Sequence, residues 1–229
     1  MAEIALKHDI CSVDCGLRKT YGGSQMLSEN KNIRKYGCGI VAATDLIFYI
    51  DRYHCKLSYP LLQELDETGA VPLETYRRLL TELNRRFFPL IPKRGLNCFM
   101  LAGGLSIFFR LYGIKVTALW CMSGGKLWER VENMLCRDLP VIFSVGTNFP
   151  KVWGKERLNL YAKTPDGVFR PAGSVHAHFM TVTAIDDTHI RVSSWGREYY
   201  ISKAEFEEYV RKYSGNILCN MVYVKMQNA

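Results

Sequence analysis

The chain has 229 residues, 48% of them hydrophobic and 23% charged, a balance that excludes disordered and fibrous classes. At this length one full core can form without metal or disulfide staples. Thirty Lys+Arg against 22 Asp+Glu leave a net charge of +8, so a nucleic-acid or acidic partner has to be weighed.

In chain order, Glu3, Lys7, His8 and Asp9 break up any secretory core at the amino terminus. The longest apolar run, residues 40–50, contains Thr44 and Asp45 and is too short to cross a bilayer. With no signal segment, the eight cysteines read as reduced thiols and the protein as cytoplasmic. From Gly39 to Tyr112 the period is helical. Ile40, Ala43, Ile47 and Ile50 share a face, residues 60–66 form a short helix, and residues 72–88 form another with Pro72 as its first residue. Pro89 and Pro92 stop it, and residues 97–112 make a further helix ended by Gly113. Beyond Ile114 strand signals take over: 114–121, 139–145, 158–164, 168–170, 179–185, 190–194, 198–201 and 217–225. Helices at 126–137 and 203–213 interrupt them, and Pro165-Asp166-Gly167 is a turn signal. Helices first and a mostly antiparallel sheet later make the chain α+β.

Chemistry concentrates in three segments. In Tyr36-Gly37-Cys38-Gly39-Ile40 a glycine-flanked cysteine opens a helical run. Helix amino termini favour thiolate over thiol, and their free N–H groups can hold an oxyanion. In Val175-His176-Ala177-His178-Phe179-Met180 two histidines lead into a strand on one side of its alternation, a placement suited to a general base. Val192-Ser193-Ser194-Trp195-Gly196 follows across one connection, close enough for a polar side chain to accept from the imidazole and for tryptophan to cover that bond. Alone, the cysteine reads as a small buried residue and the Ser-Ser-Trp-Gly stretch as a plain strand-to-loop transition, while a zinc reading of the two histidines lacks a third or fourth ligand at metal-site spacing.

Together and in this order, the three segments resemble papain-like cysteine peptidases, most closely the bacterial branch that processes the double-glycine leaders of bacteriocins. The resemblance spans residues 32–196 and rests on Cys38-Gly39, on the run from His178 to Asp186, and on Ser193-Ser194-Trp195-Gly196. It implies a papain-like fold: a single domain over 1–229, with an extension at 1–31, a helical lobe at 32–113 carrying the nucleophile helix, and a β-rich lobe at 114–229 carrying the His strand, a cleft between the lobes. It also implies a cytoplasmic, bacterial thiol hydrolase with Cys38 as nucleophile, His178 as base, Asn32 and the Cys38 N–H as oxyanion hole, and Ser193 at the orienting position. Two departures stand out. The family's oxyanion glutamine falls on Asn32, with Gln25 a candidate only if its loop folds back. The family's Asn or Asp orienter falls on Ser193 or Ser194, with Asp186 and Asp187 reading as a turn.

The expected activity is cysteine-dependent acyl transfer, as a peptidase or amidase acting on a peptide or acyl substrate without metal or organic cofactor. The alternative is a catalytically impaired papain-fold protein that binds a peptide or acyl carrier in the same cleft. Nucleic-acid binding rests only on charge between Arg77 and Arg94, where Arg78, Glu82 and Arg86 share one helix face and partly offset each other. His8, Cys11 and Cys15 lack a matching distant pair for a metal.

Overall fold

In a computed structural model, residues 3–65, 69–151 and 153–226 are described. The chain is α+β. The described residues form β1 (Ile4–Ala5), β2 (Val13–Asp14), a 3-10 turn at Gln25–Leu27, α1 (Lys31–Tyr36), α2 (Cys38–Tyr53), α3 (Pro60–Gln63), β3 (Val71–Pro72), α4 (Leu73–Arg86) and α5 (Cys98–Leu111). They continue as β4 (Val116–Met122), α6 (Leu127–Cys136), β5 (Val141–Val145), β6 (Leu158–Lys163), β7 (Phe169–Val175), β8 (His178–Ile185), β9 (His189–Ser194), β10 (Arg197–Ser202), α7 (Lys203–Tyr213) and β11 (Asn220–Met226).

The large sheet has nine strands in the order β4-β11-β5-β8-β9-β10-β6-β7, with β1 added to β8. Its pairings are antiparallel throughout. β2 and β3 form a separate parallel pair. Every residue of β8 is buried, because β8 runs through the middle of the sheet with α2 packed against it. That burial explains why its sequence, His-Phe-Met-Thr-Val-Thr-Ala-Ile, does not alternate apolar with charged residues. Among the described residues no helix is long and apolar enough to cross a membrane.

The later elements follow the sequence pattern closely, and the differences have local causes. Pro72 is not the first residue of α4 but its cap, extended and paired in β3. The helix expected at 60–66 is one turn, Pro60–Gln63, and Asp66 lies outside the described residues. Asn97 caps α5 by accepting from the Met100 N–H at 2.9 Å. Gly104 lets α5 lie against the end of α4, where a Cβ would meet the Phe87 carbonyl at 2.5 Å, whereas a Cβ at Gly103 would meet nothing. Most of what periodicity did not reveal lies before Cys38: β1, β2, the 3-10 turn and α1.

Candidate active site

Cys38 is the first residue of α2, directly after α1, and Gly37 is what lets the two helices abut. A Cβ at Gly37 would stand 2.5 Å from the Ile33 carbonyl, and Gly37 N–H closes α1 on that same oxygen at 2.8 Å. On the other side of the cysteine, a Cβ at Gly39 would crowd Leu96 at 3.1 Å and Phe179 at 3.2 Å. The flanking glycines thus let the first residue of β8's apolar run approach the helix end. Backbone N–H groups of Phe179, Gly39 and Cys38 favour the thiolate, but burial outweighs them and pushes the Cys38 thiol above its ordinary value.

His178 opens β8 opposite Val145 and is 8% exposed. Its Nε2 bonds Ser194 Oγ at 2.7 Å. Trp195 stacks on the imidazole, with centroids 4.6 Å apart and planes 28° apart. Burial first, and then the charge of Arg157, bring His178 down to about 4. The arginine is held by Ser174, to which its Nε and Nη2 donate at 2.9 Å each. Both shifts favour a neutral thiol and a neutral imidazole over the thiolate–imidazolium pair that a helix terminus alone would suggest.

The tryptophan is aimed by its turn. Trp195 and Gly196, with φ of 51° and 73°, link β9 to β10, and left-handed φ at both central residues is what a tight hairpin link demands. Trp195 is a bulky residue in that region, a strain that neighbours must hold. They do: Gly196 N–H donates to the Gly23 carbonyl at 2.9 Å, and Tyr21 N–H donates to the Gly196 carbonyl at 3.0 Å.

The same loop carries Gln25 back to the cysteine. A small pocket of about 10 Å³ is lined by Cys38, His178, Ser194, Trp195, Gln25 and Asp45, among others. Gln25 is buried and its Nε2 donates to the Arg34 carbonyl at 3.0 Å. One N–H of that amide is thereby used and the second remains for another acceptor.

No family model and no curated protein matches this chain. Among solved structures, one described as a "putative C39-like peptidase from Bacillus anthracis" is similar over 85% of this chain and 91% of that one, with 12% identity and a TM-score of 0.44. A likeness of that extent assigns neither family nor activity.

Of the residues singled out in the sequence, Cys38 and His178 line one pocket. Asn32 does not reach it. Asn30 caps α1 through its side chain, accepting from Asn32 N–H at 2.9 Å, and the Asn32 side chain stands exposed on that first turn. Gln25, through the folded-back loop, occupies the pocket instead. Ser193 lines the pocket too, but its hydroxyl donates to the Tyr21 carbonyl at 2.9 Å, and Ser194 takes the imidazole. Strand alternation separates the two serines' directions. Asp186 is the turn residue expected, accepting from Thr188 N–H and His189 N–H at 2.7 Å each. His176 points its Nε2 into buried space with no partner among the described residues. Among the described residues no group of three His, Cys, Asp or Glu could hold a metal ion. Cys11 is buried and pushed up to about 12, chiefly by that burial.

Asp45 was not singled out by sequence reasoning. A signal was nevertheless present: it is the acid that interrupts the apolar run two turns after Cys38 on the same helix face.

Proposed function

We propose that the protein is a cysteine-dependent acyl-transfer enzyme of papain-like architecture, most simply a peptidase or amidase. The observation that carries the reading is the convergence of Cys38 at a helix amino terminus and His178 at a strand start in one pocket, the imidazole fixed by Ser194 and covered by Trp195.

Ser194 occupies Nε2, which leaves Nδ1 as the nitrogen for proton exchange with sulfur. Because a neutral resting pair is favoured, His178 takes the Cys38 proton as sulfur attacks the carbonyl carbon. The developing oxyanion is met by the Cys38 N–H and by the spare N–H of Gln25. The imidazolium then gives its proton to the leaving amine, and the C–N bond breaks to leave a thioester on Cys38. Water that loses a proton to His178 attacks the thioester, and its collapse returns the thiol. Ser194 contributes no negative charge, so stabilisation of the imidazolium is weaker here than with an aspartate partner.

The test is incubation with a panel of peptide amides and acyl thioesters, followed by intact-mass and peptide-level mass spectrometry. An acyl adduct on Cys38 that disappears in Cys38→Ala and fails to form in His178→Ala supports the reading. Binding of a peptide or acyl carrier without any adduct or turnover replaces it with the non-catalytic alternative.

A further inference from the structure

Asp45 is 2% exposed and sits at the junction of the two pieces of backbone that complete the pocket. Its Oδ1 accepts from Gly23 N–H at 2.9 Å. A Cβ at Gly22 would meet both Asp45 Oδ2 and Ser193 Oγ, and a Cβ at Gly23 would meet Asp45 Oδ1 and the Tyr76 hydroxyl. Only glycine fits at either position, Gly22 also having a φ of 69°. The loop is therefore built around the carboxyl.

Two residues beyond Gly23 comes Gln25, and one residue beyond Ser193 comes Ser194, which holds His178. The groups facing Asp45 are Gly23 N–H from the loop, the Thr181 hydroxyl of β8, the Ser193 hydroxyl of β9, the Tyr76 hydroxyl of α4 and the Cys11 thiol ahead of β2. On its own helix Thr44 turns its hydroxyl back to the Ile40 carbonyl at 2.8 Å. Arg52 acts on Cys11.

We propose that Asp45 is a positioning residue for the Cys38–His178 pair: its buried carboxyl holds the Gln25 loop and the Ser193–Ser194 strand end against the helix that carries Cys38. The catalytic meaning of this role rests on the acyl-transfer reading.

Proton bookkeeping makes the latch pH-dependent. Ser193 has a single hydroxyl proton, which it donates to the Tyr21 carbonyl and which an ionised Asp45 also attracts. Ionised Asp45 competes for the Ser193 proton and loosens Ser193 from Tyr21. Burial, partly offset by Gly23 N–H and the Thr181 and Ser193 hydroxyls, raises Asp45 to about 7. In an opened, solvated loop the same carboxyl returns to about 3.9. The closed arrangement is thus fully favoured below about pH 4, weakens as pH rises to about 7, and changes no further above that.

Alkylation of Cys38 by iodoacetamide, followed by peptide mass spectrometry from pH 5 to 9, reads this directly. Thiolate formation contributes up to about tenfold per pH unit on both sides of pH 7, and loop opening, which further uncovers the half-buried Cys38, adds to the slope only below pH 7. The wild-type profile should therefore break near pH 7, and the break should vanish in Asp45→Asn, whose amide can accept from Gly23 and donate to Ser193. A break kept in Asp45→Asn, or absent from wild type, overturns the proposal.

Should Asp45→Asn fail to fold, hydrogen exchange at Gly23 in the wild type decides. Its protection should fall by up to about tenfold per pH unit between pH 5 and 7 and then level off; protection independent of pH overturns the proposal. Alkylation needs no substrate. A chain that turns over nothing but loses the break in Asp45→Asn keeps Asp45 and sinks the acyl-transfer reading. An active chain without the break does the reverse.

Discussion

The two walls of the pocket are built differently. The His178 wall is sheet: β8 lies between β5 and β9, Val145 stands opposite His178, and the register of β9 against β8 delivers Ser194. The other wall is loop: Gln25 arrives on a segment held by Asp45, by Gly23 and Gly196, and by one bond to the Arg34 carbonyl. A sheet position is fixed by many cooperative hydrogen bonds, whereas a loop position depends on a few specific ones, so single substitutions should act unequally on the two walls.

Removing the proposed nucleophile is the limiting case. Cys38→Ala should abolish adduct formation and turnover in a mass-spectrometric acylation assay with the fold retained, since Ala is common at helix starts and the residue is not among the large core side chains. On the loop wall, Gln25→Ala removes the proposed oxyanion donor and should lower kcat by about 10²–10³ with little change in KM. Steady-state kinetics that show a KM effect alone would instead make Gln25 a substrate-binding residue. On the sheet wall, Ser194→Ala leaves buried Nε2 without its partner. That costs about 1–3 kcal/mol, seen as lower kcat and as a lower melting temperature. An effect larger than that of Gln25→Ala would reverse the contrast drawn here.

Smaller still is the effect on Cys38 ionisation. Because burial raises its thiol and lowers His178 to about 4, alkylation should still be rising through the ordinary thiol range, with no reactive plateau at acid pH. A plateau below pH 6 that His178→Ala removes would show a resting ion pair. Last, Asn32→Ala on the exposed face of α1 should leave both turnover and stability unchanged, within about 0.5 kcal/mol.

The arginines between 77 and 94 are in part structurally engaged. Arg77 Nε donates to the Leu27 carbonyl at 2.9 Å and its Nη1 stands 2.9 Å from Glu29, while Arg78 pairs with Glu64 at 3.2 Å. Arg77 thus pins the end of the 3-10 turn that begins at Gln25, a task that net charge could not disclose.

What the sequence by itself determined is the part governed by local periodicity. The strand beginning near His178, the helix beginning at Cys38, the turns at Gly113, Gly167 and Asp186, and the change from helices to strands can all be read from neighbours a few residues apart. Helix and strand periods are properties of the chain's own backbone, and their signals survive without knowledge of the fold. Only the tertiary structure decided which amide lines the Cys38 pocket, which serine bonds the imidazole, and what surrounds the buried acid at 45. Gln25 and Asn32 are equivalent as amides in sequence; the loop's return to Asp45 separates them. Ser193 and Ser194 are adjacent and identical; the pleat and the Tyr21 carbonyl separate them. Asp45 interrupts an apolar helix face with no visible reason until Gly22, Gly23 and Ser193 close around it. Each of these choices depends on contacts between residues far apart in the chain, and the energies that fix them are those of burial and hydrogen bonding across the fold, which no local pattern records.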